Sequence, residues 1–298
     1  MKLQRSHWLT GLAGVAVILV CLLAWQAWTL HLWPTDLMRR IVRLPVGTYS
    51  PEGRLVAYPG KAEVPCPQQD EKTAVILAIG QSNIANHAAA RVTSRHPGSV
   101  LNFHAGRCYA ASSPLLGASG EEGEFLTLLA DRIVSAGIYR TVVLVPLGVG
   151  ASPIARWQRG GDLNAVLLSA VRALETRYQV TEVVWHQGES DYATGTSASR
   201  YAASFDSLAD TLRESGVRAP VFIAIATRCG SDVTKDNPTA DGQRAILKRD
   251  GVHLGANTDA LLDEKDRRDG CHMSASGQEK TAASFAEAIG RLRGAIPR

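Results

Sequence analysis

Four apolar runs of strand type, separated by helix-length amphipathic stretches, constrain this chain more than any other feature. They are "TAVILAIG" (73–80), "RTVVLVPLG" (140–148), "TEVVWHQG" (181–188) and "APVFIAIATRCG" (219–230), rich in β-branched residues and poor in charge. Such runs suit strands buried on both faces, as in a parallel sheet. Between them, "EFLTLLADRIVSAG" (124–137) sets Phe125, Leu128, Leu129, Ile133 and Val134 on one helical face and stops at Gly137. Residues 163–178, 197–216 and 274–294 also read as helices, the last opening on "SASGQE" with Ser and Glu near capping positions. Alternating strands and helices imply right-handed crossovers, so one three-layer α/β domain over residues 73–298, with a mostly parallel sheet, is expected. Functional groups in such sheets gather at the carboxyl ends of the strands. Four polar or glycine-rich stretches fall there or before the last helix: "GQSN", "GVGAS", "HQGESD" and "DGCHMS".

The N-terminus has a different character. Trp8–Trp28 contains no charged side chain, long enough for a helix to cross a hydrocarbon layer of roughly 30 Å. Trp8, Trp25, Trp28 and Trp33 stand near its ends as an interfacial belt would. A cleaved signal peptide is the alternative, but the run is long for one and a cleavage site of small residues is missing. Residues 1–33 are therefore read as a transmembrane signal anchor. Lys2 and Arg5 precede the span while Arg39, Arg40 and Arg43 follow it, so charge does not fix its orientation. Residues 34–72, with six prolines, read as a connector. Cys21 lies in the span; Cys66, Cys108, Cys229 and Cys271 form an even set beyond it, with three possible pairings in an oxidising compartment and four separate buried thiols as the alternative. The net charge of +4 over 298 residues, with no Lys/Arg block, gives no nucleic-acid footprint.

A serine nucleophile needs a base, an acid that orients the base, and donors aimed at the developing oxyanion. Ser82 follows a buried strand by two residues; taken alone, it reads as a helix cap sooner than as a nucleophile. His272 is the candidate base. Among the eight histidines it alone combines an acid three residues earlier, Asp269, with a place just before the final helix. Gly150 can present a bare N–H after its strand, and the Gln187 amide can supply another donor. Glu189 and Asp191, two apart, could suggest a metal site or a glycosidase dyad. No His/Cys/Asp cluster has metal-ligand spacing, however, and two carboxylates in one loop do not flank a sugar bond, so Glu189 reads as a brace for its loop.

Taken together, "GQSN", the P-x-x-x-G stretch, "WHQGESD" and "DGCH" resemble, in order, the blocks of the SGNH hydrolase superfamily, and more closely its sialate O-acetylesterase and acetylxylan esterase branch. The resemblance covers residues from about Thr73 to the C-terminus. It implies a flavodoxin-like α/β/α fold and no metal or cofactor. It also implies Ser82 as nucleophile, His272 as base, Asp269 as its orienting acid, and an oxyanion hole of Ser82 N–H, Gly150 N–H and the Gln187 side chain. Asn83, Glu189, Asp191 and Trp157 would support the site or line its substrate wall, with a place in the core as the equal alternative for Trp157. One departure stands out: where the branch often has Gly-Gly, Gly150 is followed by Ala151.

With the blocks so placed, Cys271 touches the base and Cys229 ends the strand before its loop, so pairs 229–271 and 66–108 are expected. The function implied is removal of O-acetyl groups from a carbohydrate, in the periplasm or at the cell exterior. The alternatives are an O-acetyltransferase for an exported polysaccharide and a non-catalytic carbohydrate-binding protein. Loop 86–122 is expected to lie at the substrate wall or in solvent.

Overall fold

The computed structural model describes residues 46–230 and 236–295, with Leu19 and Leu22. The chain divides into two units, Met1–Val46 and Gly47–Arg298. The expected membrane helix over residues 1–33 lies almost wholly outside the described residues. Among the described residues no helix is long and apolar enough to cross a membrane.

The second unit begins with three short strands: β1 (Thr48–Tyr49), β2 (Leu55–Ala57) and β3 (Glu63–Val64). The main alternation follows: β4 (Thr73–Gly80), β5 (Val100–His104), β6 (Arg107–Ala110), α1 (Leu126–Ser135), β7 (Thr141–Pro146) and α2 (Asp162–Glu175). Then come β8 (Glu182–His186), α3 (Glu189–Ala193), α4 (Ala198–Glu214), β9 (Val221–Ile225) and α5 (Pro238–Ile246). The chain closes with β10 (Val252–Asn257), α6 (Thr258–Leu261) and α7 (Ala275–Leu292), whose N-cap is Ser274.

Eight strands form one sheet in the order β10-β9-β8-β4-β7-β5-β6-β3. Pairing is parallel from β10 to β5 and antiparallel where β6 joins β5 and β3 joins β6. Strand β4 is buried along its whole length, and its two faces feed different layers. Ala74, Ile76 and Ala78 share a core with Leu129 and Ile133 of α1 and Phe285 and Ile289 of α7. Val75, Leu77 and Ile79 share the other with Leu167 and Val171 of α2 and Phe205 and Leu208 of α4. This is the mostly parallel α/β/α sandwich expected. The chain first builds to one side of β4 and then crosses to the other with β8. The resulting switch point between β4 and β8 is where such sheets hold their chemistry.

The reading of 34–72 as a connector gives way to a different picture beyond residue 46. Leu55 is fully buried, β3 forms the sheet edge, and Cys66 is tied to Cys108. Prolines exclude helices but tolerate edge strands of two or three residues, which are too short to show a period. Loop 86–122 likewise departs from a solvated loop. It carries the β5–β6 hairpin, turned through Ala105 and Gly106 at φ of 49° and 81°, and buries Leu115, Leu116 and Ala118.

Candidate active site

The turn after β4 is fixed by backbone alone. Gly80 has φ 144°, and a Cβ there would stand 2.0 Å from the His186 carbonyl oxygen of β8, so only glycine lets the two strand ends meet. The Gln81 N–H donates to that carbonyl at 3.0 Å. Ser82 then opens a one-turn 3-10 helix, Ser82–Ile84, whose cap position belongs to Gln81; Ser82 is not the cap. The first helical bond is Ile84 N–H to Gln81 O, so the Ser82 N–H lies ahead of the ladder.

His272 sits in a loop held on several sides. Its Nδ1 lies 2.8 Å from Asp269 Oδ2, while Asp269 Oδ1 accepts the N–H groups of Cys271 (3.0 Å) and His272 (2.7 Å). Burial pushes the Asp269 carboxyl up, but the bonds from the His272 ring and the two N–H groups outweigh it and hold the group at about 2. Cys271 is bonded to Cys229, and Cys66 to Cys108, as expected. Arg267 donates to the Cys271 carbonyl at 3.0 Å and to Thr258 O at 3.0 Å. Outside the pair, Arg268 Nε approaches Asp269 Oδ2 at 3.6 Å while its Nη1 binds Glu122.

Asn83 ties this loop to the serine turn. Its Nδ2 donates to Cys271 O (3.2 Å) and its Oδ1 accepts the Met273 N–H (3.2 Å), so the residues flanking His272 are both bonded to the residue after Ser82. The same Nδ2 donates to Glu189 Oε1 at 2.7 Å. Glu189 is buried beneath the turn, 3.8 Å from His186 Nδ1. Burial, opposed by the Asn83 bond, pushes its carboxyl up to about 7. Burial likewise pushes His186 down to about 3.

Other expected residues take different roles. The Gln187 amide is wholly buried: its Nε2 donates to Asp191 Oδ2 (2.5 Å), Gln81 Oε1 and Ser152 O (both 3.2 Å), and its Oε1 accepts from Tyr201 OH (3.0 Å). With both hydrogens taken by interior acceptors, the amide has none for an oxyanion. Asp191 also accepts the Ile154 N–H at 2.7 Å and Thr196 Oγ1 at 2.8 Å, so it braces the loop. Trp157 lies in the core, 0 % exposed, with its Nε1 donating to Ser152 Oγ, and lines no substrate wall. Asn83, Glu189 and Asp191 are buried too. Gly150 directs its N–H to Ser119 Oγ at 2.8 Å. Ser119 and its neighbour His87 carry no signal in the sequence beyond being a serine and one of eight histidines. Among the described residues no cluster of three or more His, Cys, Asp or Glu is placed to hold a metal ion.

Ala151 occupies the second glycine position of its block with φ 52°. The left-handed region costs an L-residue roughly 1–2 kcal/mol. Ala151 is exposed, so no packing offsets that cost. Ala151→Gly is expected to raise stability by about 0.5–1 kcal/mol after the added entropy of the unfolded chain. Denaturant melts of the two proteins would measure it; an unchanged or lower midpoint would contradict the strain argument.

The fold agrees with that of three solved structures. A protein of Arabidopsis thaliana is 20% identical, with 73% of this chain and 97% of that one covered at a TM-score of 0.56. NanS is 16% identical, with 74% and 98% covered at 0.52. A carbohydrate acetylesterase from Xanthomonas citri is 16% identical, with 75% and 57% covered at 0.51. No match is found among curated proteins. The model of the family "carbohydrate esterase, sialic acid-specific acetylesterase" matches residues 72–291. The chain belongs to this family and is a carboxylic ester hydrolase.

Proposed function

We propose that the protein is a serine O-acetylesterase that removes acetyl groups from a carbohydrate through Ser82, His272 and Asp269. The reading rests on the Asp269–His272 pair at 2.8 Å, in a loop whose flanking residues are bonded to Asn83, next to Ser82. Ser82 Oγ attacks the acetyl carbonyl carbon and passes its proton to His272 Nε2. Asp269, ionised at neutral pH, keeps the other ring proton on Nδ1 and stabilises the imidazolium. The tetrahedral oxyanion collapses, His272 returns the proton to the departing sugar oxygen, and the acetyl group stays on Ser82. Water, deprotonated by His272, then attacks the acyl carbon, releasing acetate and restoring the serine. The Ser82 N–H serves the oxyanion in both halves.

Two disulfides fit a domain outside the reducing cytoplasm. We place the esterase domain in the periplasm or at the cell exterior, held to the membrane by the apolar span of residues 8–28. A panel of O-acetylated glycans, assayed for acetate, tests the activity and names the sugar. Release from at least one O-acetyl sugar is expected; a folded protein that frees acetate from none, nor from aryl acetates, would sink the reading.

A further inference from the structure

Three polar groups beside the serine turn fit one another more closely than a solvated wall requires. Ser119 Oγ accepts the Gly150 N–H at 2.8 Å and lies 3.0 Å from His87 Nε2. Ser119 is 7% exposed, and its backbone is held from two sides. Its N–H donates to Gly148 O at 2.8 Å, and its carbonyl accepts the Asn86 N–H at 2.9 Å. Val149, next to Gly148, donates to Gly80 O at 2.9 Å, so the hydroxyl is anchored to the strand end where the Ser82 turn begins. The His87 ring stacks on the His272 ring, with centroids 5.6 Å apart and planes inclined by 22°. A Cβ on Gly150 would stand 3.3 Å from His87 Nε2, so a side chain there would press on the ring.

The hydrogen-bond inventory of this group leaves one proton over when His87 carries its ring proton on Nε2. A serine hydroxyl has two acceptor sites and one O–H. The Gly150 N–H fills one acceptor site. His87 is a neutral ring at pH 7, held down to about 4 by burial and then by the nearby His272. With the proton on Nδ1 the ring would accept from the Ser119 O–H; in the tautomer with its single proton on Nε2 it fills the second site. The O–H of Ser119 then has no role inside the group, and two donors on its oxygen strengthen it as a donor.

Building on the esterase reading, we propose that His87 holds its proton on Nε2 and that Ser119 is a catalytic residue: its hydroxyl is the side-chain donor of the oxyanion hole, with Gly150 and His87 positioning it. Gly150 thus reaches the oxyanion through Ser119 rather than directly. Ser119 takes the place that Gln187, bonded into the interior, does not fill.

Aryl acetate kinetics on the full chain test this with Ser82→Ala, Ser119→Ala, Ser119→Cys, His87→Phe, His87→Gln and the double variant Ser119→Ala/His87→Phe. Ser119→Ala is expected to lower kcat on the order of a hundredfold with KM nearly unchanged, as loss of one oxyanion donor does. Its Ser82 should still be labelled by a fluorophosphonate, but more slowly. His87→Phe should fall toward the Ser119→Ala rate. His87→Gln, which keeps an N–H donor, should recover most of the loss, a rescue that a merely structural role would not give. The double variant should be no slower than Ser119→Ala. If Ser119→Ala does not fold, Ser119→Cys makes the same comparison with a weak donor. A folded Ser119 variant of either kind at the wild-type rate, with Ser82→Ala dead, overturns this proposal and leaves the esterase reading standing. An active Ser82→Ala overturns both.

Discussion

Ser82→Ala is expected to cut acetate release by about 10⁴-fold or more while leaving the fold intact. The cap position of the 3-10 turn belongs to Gln81 and not to Ser82, so the structural loss is small. The chemical loss is large because no other group in the proposed mechanism can form the acyl-enzyme. What remains is the weak catalysis that oxyanion donors and binding give to water. His272→Ala should fall nearly as far. Asp269→Asn keeps an oxygen for the Cys271 and His272 N–H groups but turns an N–H toward Nδ1, favouring the wrong tautomer. Rates on an aryl acetate, read beside thermal melts, separate these losses from unfolding. A folded Ser82→Ala protein with more than a few per cent of wild-type activity would move the nucleophile elsewhere.

The second large effect concerns acid. His186 is buried and held down to about 3; burial also holds His87 and His104 down to about 4, in each case ahead of a nearby cation or ring. Unfolded, all three take a proton near pH 6.5. Between pH 6.5 and about 4 the unfolded chain therefore binds more protons than the native one, and stability falls as pH falls. Glu189 works the other way. Its native carboxyl, raised to about 7, keeps a proton that the unfolded chain gives up above about 4.5. Its contribution is thus largest at low pH and is lost as pH rises through 7. One carboxyl offsets part of what three histidines do, and a net loss of about 5 kcal/mol from pH 7 to pH 4.5 is expected. Denaturant midpoints at the two pH values measure it, and His186→Gln should shrink the difference. Equal stability at both would refute the account.

The parts of the fold that are legible in the sequence share one property: each repeats a pattern over many residues. Strand β4 spans the run Thr73–Gly80, and α4 and α7 start and stop within two residues of their sequence ranges. Strand β10 escapes a reading of the sequence because "VHLGAN" mixes polar residues and glycine, and its pairing with β9 supplies what the pattern lacks. Helix α5 escapes it because "PTADGQRAI" holds one large apolar side chain, Ile246, and one such residue cannot mark a period. In the site, the Asp269–His272 pair is legible because both groups lie in one tight loop, and spacing alone sets their distance. Gln187 is misjudged because its bonds go to Gln81, Ser152, Asp191 and Tyr201, which only the folded chain assembles around it. Ser119 stays hidden for the same reason: Gly150 and His87 give the hydroxyl its environment, and both come from other segments.

The proposed nucleophile and base come from opposite ends of the domain. Ser82 follows β4 directly, His272 precedes the last helix, and strands β5 to β10 lie between them in sequence. No proteolytic fragment that ends before the His272 loop carries both groups, and that loop is seated only when Asn83 and Cys229 meet it. Turnover of a chromogenic ester is therefore a reporter of completed folding, reading the native fraction of the chain with no spectroscopic probe added.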